Sequence, residues 1–191
     1  MRFWLALALL ATPLLAVPLL AQEPLAYLIR YNIEQNPINY SQKTPQDAMK
    51  SIAKAIDGGR FDYLLAQLSD PLYVDPRVVE YRGLLFPREE LQREDEAIAR
   101  ELDVKSRKIK MLEKEKKDKA RTIVAFNRMV VETRKHLDED PVLLKELRLF
   151  AKDADWEIDE DKATGTMKKL TPRKVFLRKR ENRWFMEERN Q

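Results

Sequence analysis

Between Pro87 and Leu137 the chain has neither glycine nor proline, and this run limits the fold more than any other feature. Leu91, Ile98, Leu102, Ile109, Leu112, Ile123, Phe126, Val130 and Leu137 fall at three- and four-residue spacing along it, which predicts one or two long helices with a narrow apolar seam. Lys105, Lys116 and Lys119 put charge into the middle of that seam, so its centre is expected to project into water. Glu96 with Arg100, Glu101 with Lys105, Asp103 with Arg107, Glu113 with Lys117 and Glu115 with Lys119 are acid-first pairs at i, i+4. Each adds only about 0.2–0.5 kcal/mol, but in series they support an exposed helix. An unbroken helix of this length would reach roughly 75 Å. It must therefore protrude, fold back as a hairpin, or pair with another chain as a coiled-coil homodimer.

Charge and residue inventory exclude several functions. The net charge of +4 arises from 36 basic against 32 acidic residues, a small excess on a highly charged surface. The basic run "KSRKIKMLEKEKKDKAR" invites a nucleic-acid or anionic-surface partner, but Glu113, Glu115 and Asp118 neutralise much of it and no aromatic lies in it to stack on a base, so a solvated helix is the expected reading and no nucleic-acid partner is expected. With no cysteine and one histidine, disulfides, thiol catalysis and thiolate metal sites are ruled out, and no metal or cofactor motif is found. His136 is read as a helix-end residue favoured by the helix dipole. None of Ser41, Ser51, Ser69 and Ser106 sits in a strand-turn-helix elbow, and neither "GG" nor "TGT" makes a phosphate loop. No catalytic residue is assigned.

The N-terminus reads as an address. In "MRFWLALALLATPLLAVPLLAQEP" one basic residue, Arg2, precedes an apolar run from Phe3 to Ala21, the layout of a secretory signal peptide over residues 1–21. The competing reading is an uncleaved anchor, since about 20 apolar residues span a bilayer. Pro13 and Pro18 interrupt the run and favour cleavage after Ala21, leaving no stable membrane span and placing the protein in the periplasm or outside the cell. Residues 22–43 follow as an ordered but irregular arm, too rich in Leu25, Tyr27, Leu28, Ile29, Tyr31 and Ile33 for an idle linker.

Residues 44–191 are expected to form a single α+β domain with N-terminal helices packed on a curved C-terminal antiparallel sheet. In "TPQDAMKSIAKAIDGGRFDYLLAQLSDP" Thr44 is an N-cap, Pro45 opens the helix, and Gly58 and Gly59 end it in the left-handed conformation. Phe61, Leu64, Leu65 and Leu68 mark a second helix that Ser69, Asp70 and Pro71 stop. After Asp140 and Pro141 comes a short helix. Then "DWEID", "ATGTMKKL", "KVFLRKR" and "RWFMEER" read as four strands, spaced closely enough for an antiparallel meander. The acidic segment Asp153 to Asp161 is expected to pair across strands with the basic segment Lys168 to Arg183.

The helix pair with "FDYLLAQLSDP" and the closing "KVFLRKRENRWFMEER" resemble the nuclear-transport-factor-two-like superfamily, the cone-shaped fold also called cystatin-like. The resemblance covers residues 44–71 and 140–189, and it makes the long helix an insertion over about residues 88–137. It extends to exported bacterial proteins of this fold, and implies location and architecture rather than activity. The cone of that family encloses a pocket, for which Tyr63, Trp156, Phe176 and Trp184 are the candidate lining residues here, core packing being the favoured reading of each at its spacing. Family enzymes do proton transfer inside the pocket, but no matching motif occurs, and Asp62 or Asp155 would serve only if buried. The leading expectation is an exported, non-enzymatic binding protein for a protein or small apolar ligand. A pocket lyase or isomerase with an inward carboxylate and a structural protein dimerising through the central helix are the alternatives.

Overall fold

A computed structural model describes residues 28–168 and 173–187, so the signal segment expected over residues 1–21 lies outside the described residues. The elements run β1 (Ile29–Arg30), β2 (Ile33–Glu34), α1 (Pro45–Asp57), α2 (Phe61–Tyr63) with a π-helical turn (Leu64–Leu68), and α3 (Pro71–Leu85). Then come α4 (Arg88–Ala99), α5 (Val104–Glu139), α6 (Pro141–Asp153), β3 (Asp155–Asp159), β4 (Lys162–Thr166), β5 (Val175–Arg180) and β6 (Arg183–Glu187). The protein is α+β, with helices from the N-terminal half packed on a C-terminal antiparallel sheet.

Local chemistry sets most of the ends. The Thr44 hydroxyl accepts from Asp47 N at 3.1 Å, with Pro45 in the first turn. Gly59, at φ +64, takes the left-handed position; Gly58 keeps φ −83, so one glycine makes the turn and not both. Asp140 caps α6 by accepting from Leu143 N at 2.8 Å, ahead of Pro141. Asp70 and Pro71, expected to stop a helix, also start one. Asp70 accepts from Leu72 N at 3.0 Å and opens α3, a helix that carries Pro76 inside it and that the sequence reading lacks.

The Gly- and Pro-free run resolves into a helical hairpin. Residues Arg100–Asp103 form the turn, and α4 folds back antiparallel along the first half of α5. Lys117 meets Glu94 at 3.4 Å, Lys114 meets Asp95 at 2.6 Å, and Lys110 meets Glu101 at 2.6 Å. This redistributes the expected pairs: Glu96–Arg100 and Glu115–Lys119 form at 3.1 Å, whereas Lys117 turns to α4 and Asp103 caps α5 at Ser106 N.

Two apolar clusters make the core. One places α1, α2 and α6 on the sheet through Met49, Ile52, Leu64, Phe150, Leu177 and Trp184. The other joins the π turn, α3 and the second half of α5 through Leu65, Val74, Val78, Ala125, Phe126 and Met129. The sheet order is β3-β4-β5-β6, each pair antiparallel, as the spacing predicts. Trp184 N donates to Gln42 O and Gln42 Nε2 to Trp184 O, while Ser69 bridges Met186, so the β6 edge is covered. At the other edge Asp155, Glu157 and Asp159 alternate along β3, charge that discourages pairing with another chain. Because β4 lies between β3 and β5, the acidic and basic blocks are not direct neighbours. They meet through the β3–β4 turn, where Asp161 binds Arg178 at 2.8 Å.

Candidate functional site

A broad, open groove lies where the N-terminal arm meets the helical hairpin. Ile29 and Arg30 pair with Ile33 and Glu34 around a two-residue turn, with Tyr31 at φ +53 and Asn32 at φ +63. Positive φ at both central positions matches the right-handed twist of a hairpin, but it strains a bulky residue by about 1–3 kcal/mol. What offsets the strain is visible around Tyr31. Its ring stacks on Phe126 of α5 at 4.2 Å and 5°, and its hydroxyl donates to Asp75 of α3 at 2.6 Å. Burial, reinforced by Asp75, raises the phenol above its ordinary value near 10, so it stays a hydrogen-bond donor at neutral pH.

The rest of the arm is fastened to the π-helical turn. The buried Arg30 guanidinium donates to Ala66 O and to Asp75. Gln67 Nε2 donates to Ile33 O at 2.8 Å, and Asn36 N donates to the Tyr63 hydroxyl at 2.8 Å. These hydrogen bonds tie the arm to α2, the π-helical turn and α3.

Between this turn and the hairpin lies an open groove of about 1180 Å³. Its apolar floor is Ile29, Ile98, Met111, Leu112 and Ile123; its rim carries charges of both signs, among them Asp95, Lys108, Glu115 and Lys119. Leu112 and Ile109 are each half exposed, although both belong to the apolar seam. The walls are held by ions more than by packing. Arg121, only 8% exposed, binds Glu90 at 3.0 Å and Glu94 at 2.8 Å and lies over the Phe86 ring. The Arg121 guanidinium holds the Glu94 carboxyl below the usual carboxylate range.

The expected lining residues are elsewhere. Tyr63 and Trp184 are buried in the core on the sheet, and Trp156 packs against that core over Gly165. Phe176 is partly buried on β5, with its side chain on the face opposite Val175 and Leu177. None of the four lines the groove. A smaller cavity, about 80 Å³ beside Pro71, Leu72 and Phe185, does not include them either. The Asp62 side chain is 40% exposed beside Arg60, and Asp155 is exposed on the edge strand. Asp70, the buried carboxylate, is occupied by the Arg180 guanidinium at 2.9 and 3.0 Å and by its capping role. Among the described residues there is no cluster of three metal-ligating side chains, and no helix is long and apolar enough to cross a membrane.

The groove is missed from sequence because its walls come from residues 29–32, 95–98 and 108–123, which only the fold-back of α4 brings together. The one signal that pointed to it was the seam interrupted by lysines, since an apolar stripe without a complete partner stays open. No protein-family model, curated protein or solved structure matches the chain.

Proposed function

We propose that the protein is an exported, non-enzymatic binding protein that takes an apolar segment of a partner protein into the groove between the Tyr31–Asn32 turn and the α4–α5 hairpin. The groove itself carries the reading. At about 1180 Å³ it exceeds the roughly 300–1,000 Å³ of small-molecule sites and is open along its length. An aliphatic floor with rim charges of both signs suits an amphipathic helix better than a small apolar ligand. The strained Tyr31, anchored by Phe126 of α5 and Asp75 of α3, supplies a rigid aromatic wall. Binding is favoured over proton transfer because Asp62 and Asp155 face solvent and Asp70 is held by Arg180. Export rests on the arrangement of residues 1–21. The resemblance to the nuclear-transport-factor-two-like cone is supported by the α1–α2 pair lying against a meander whose last strand carries Trp184.

A photo-crosslinking residue at Leu112 tests the groove in cells. One discrete crosslinked protein is expected, and once purified it should bind the wild type and lose at least about tenfold affinity for Ile98→Asp. Equal crosslinking from Lys152, an exposed residue of α6 that does not line the groove, or undiminished binding of Ile98→Asp would end this reading. A product of twice the chain's mass would make the occupant a second copy of the chain. Export is checked by fractionation and N-terminal sequencing, with Gln22 expected as the first residue outside the cytoplasm.

A further inference from the structure

The outer end of the hairpin has a composition that the groove does not explain. No residue of α4 is buried, and none of α5 before Arg121, so residues 104–120 carry the arm roughly 25 Å beyond the core. At its far end Leu102 is 88% exposed and Val104 78% exposed. Nothing among the described residues covers these two aliphatic side chains at the turn of the arm.

The charges around them are sorted. Every acid close to the turn is engaged: Glu96 with Arg100, Glu101 with Lys110, and Asp103 with the Ser106 amide. Farther in, Glu90, Glu94 and Asp95 draw Arg121, Lys117 and Lys114 to the seam between the helices. Lys105 and Lys108 have no ion pair among the described residues, and Arg107 bonds only the Glu101 carbonyl. Between Arg100 and Lys117 there are eight basic and four acidic residues. The arm is therefore neutralised along its inner seam and left cationic at its tip.

We propose that this tip docks on the surface of an anionic lipid bilayer, with Leu102 and Val104 entering the boundary between headgroups and acyl chains and Lys105, Arg107 and Lys108 meeting lipid phosphates. Aliphatic side chains flanked by cations are what an interfacial contact needs. Leu102 and Val104 stand exposed at the turn between two helices and line neither the groove nor the cavity beside Pro71, which suits contact with a surface. Nucleic acid would meet the cations but find no aromatic to stack on, and an acidic protein would leave the two aliphatics without a role. Lys108 also stands on the groove rim, so Leu102, Val104, Lys105 and Arg107, which do not line the groove, are the residues that distinguish the tip from it.

The chain lacks cysteine, so one introduced thiol reports one place. Full-length protein with Val104→Cys carrying an environment-sensitive fluorophore is mixed with vesicles of phosphatidylcholine alone or with about one-third phosphatidylglycerol. A blue shift and several-fold brightening are expected with the anionic vesicles only, and none from the same dye at Lys152→Cys. Replacing Lys105, Arg107 and Lys108 together by Glu should weaken vesicle binding by on the order of 100-fold while helicity is retained. Leu102→Ser, which leaves the charge unchanged, should weaken it by about tenfold. The proposal is overturned if the dye at position 104 does not respond, responds equally to both vesicles, or is matched by the dye at 152. A response to polyglutamate or duplex DNA in place of vesicles would overturn it as well.

Discussion

The body of the molecule and its arm are built from the same helical grammar but held by different forces. In the body, α1, α6 and the second half of α5 bury Met49, Ile52, Phe150 and Phe126 to within a few per cent of full burial. In the arm, α4 and the first half of α5 bury nothing, and Glu90, Glu94, Asp95 and Glu101 hold the two helices together through Arg121, Lys117, Lys114 and Lys110. Apolar burial does not titrate and is not screened by ionic strength, whereas exposed ion pairs are worth little singly and are screened. The arm is thus the part of the fold whose shape responds to surroundings. It is also the part that carries the open groove and the cationic tip.

The contrast predicts unequal costs for similar truncations. Phe126→Ala removes a ring that is 1% exposed and leaves Tyr31 without its stacking partner. A loss of about 3–5 kcal/mol in denaturant unfolding is expected. Leu112→Ala, on the same helix but in the groove, should cost under about 0.5 kcal/mol. Similar costs at the two positions would mean that the arm is packed like the body. Next in size is Arg121→Met, which takes the common partner from Glu90, Glu94 and Asp118. It is expected to cost about 1–3 kcal/mol and to act locally, speeding amide exchange throughout α4 while β4 and β5 stay protected.

How far these two regions could be read from sequence follows from how local their causes are. Thr44 with Pro45 and Asp140 with Pro141 announce α1 and α6, because capping depends on neighbours in the chain. The four strands are legible for the same reason, as short β-prone runs between turn residues. Helix α3 is not, because Asp70 and Pro71 both end one helix and open another, while Pro76 and Gly83 look like breakers. The β1–β2 hairpin is hidden by Tyr31, which stands where such turns ordinarily have Asn, Asp or Gly, and which is held there by Phe126 and Asp75 from distant parts of the chain. The same distance defeats the site. Tyr63 and Trp184 belong to the core, and an aromatic in a pocket has the same sequence signature as one in a core. The residues that line the groove look like an ordinary helical seam until α4 is seen to cover only part of it.

Acid should separate the two regions at a smaller energy. Glu94, paired with Arg121, and Glu101, paired with Lys110, both titrate below their ordinary value of 4.5. A carboxyl whose folded pKa is lowered contributes stability that is fully present above the unfolded value and is lost as pH falls through the folded one. Below about pH 4.5 the hairpin should therefore loosen progressively. Asp161, lowered by Arg178, weakens the β3–β4 turn in the same direction, but the apolar core behind it does not titrate. Exchange measured from pH 7 down to about 3 is expected to expose α4 before β4 and β5. Simultaneous loss of both would show that the ion pairs are not what holds the arm.

The smallest effect sharpens the comparison most, because it isolates one pair. Glu115 and Lys119 lie 3.1 Å apart on α5, and both line the groove. Their side chains are 61% and 77% exposed, so solvent screens most of the attraction. A double-mutant cycle of Glu115→Gln and Lys119→Gln should give a coupling of about 0.3–0.5 kcal/mol that vanishes near 1 M salt. Such a value would place the pair with helix-surface ion pairs in general. A coupling above about 1 kcal/mol that survives salt would mean that the groove is already closed over the pair in solution, and that the arm folds against something other than water.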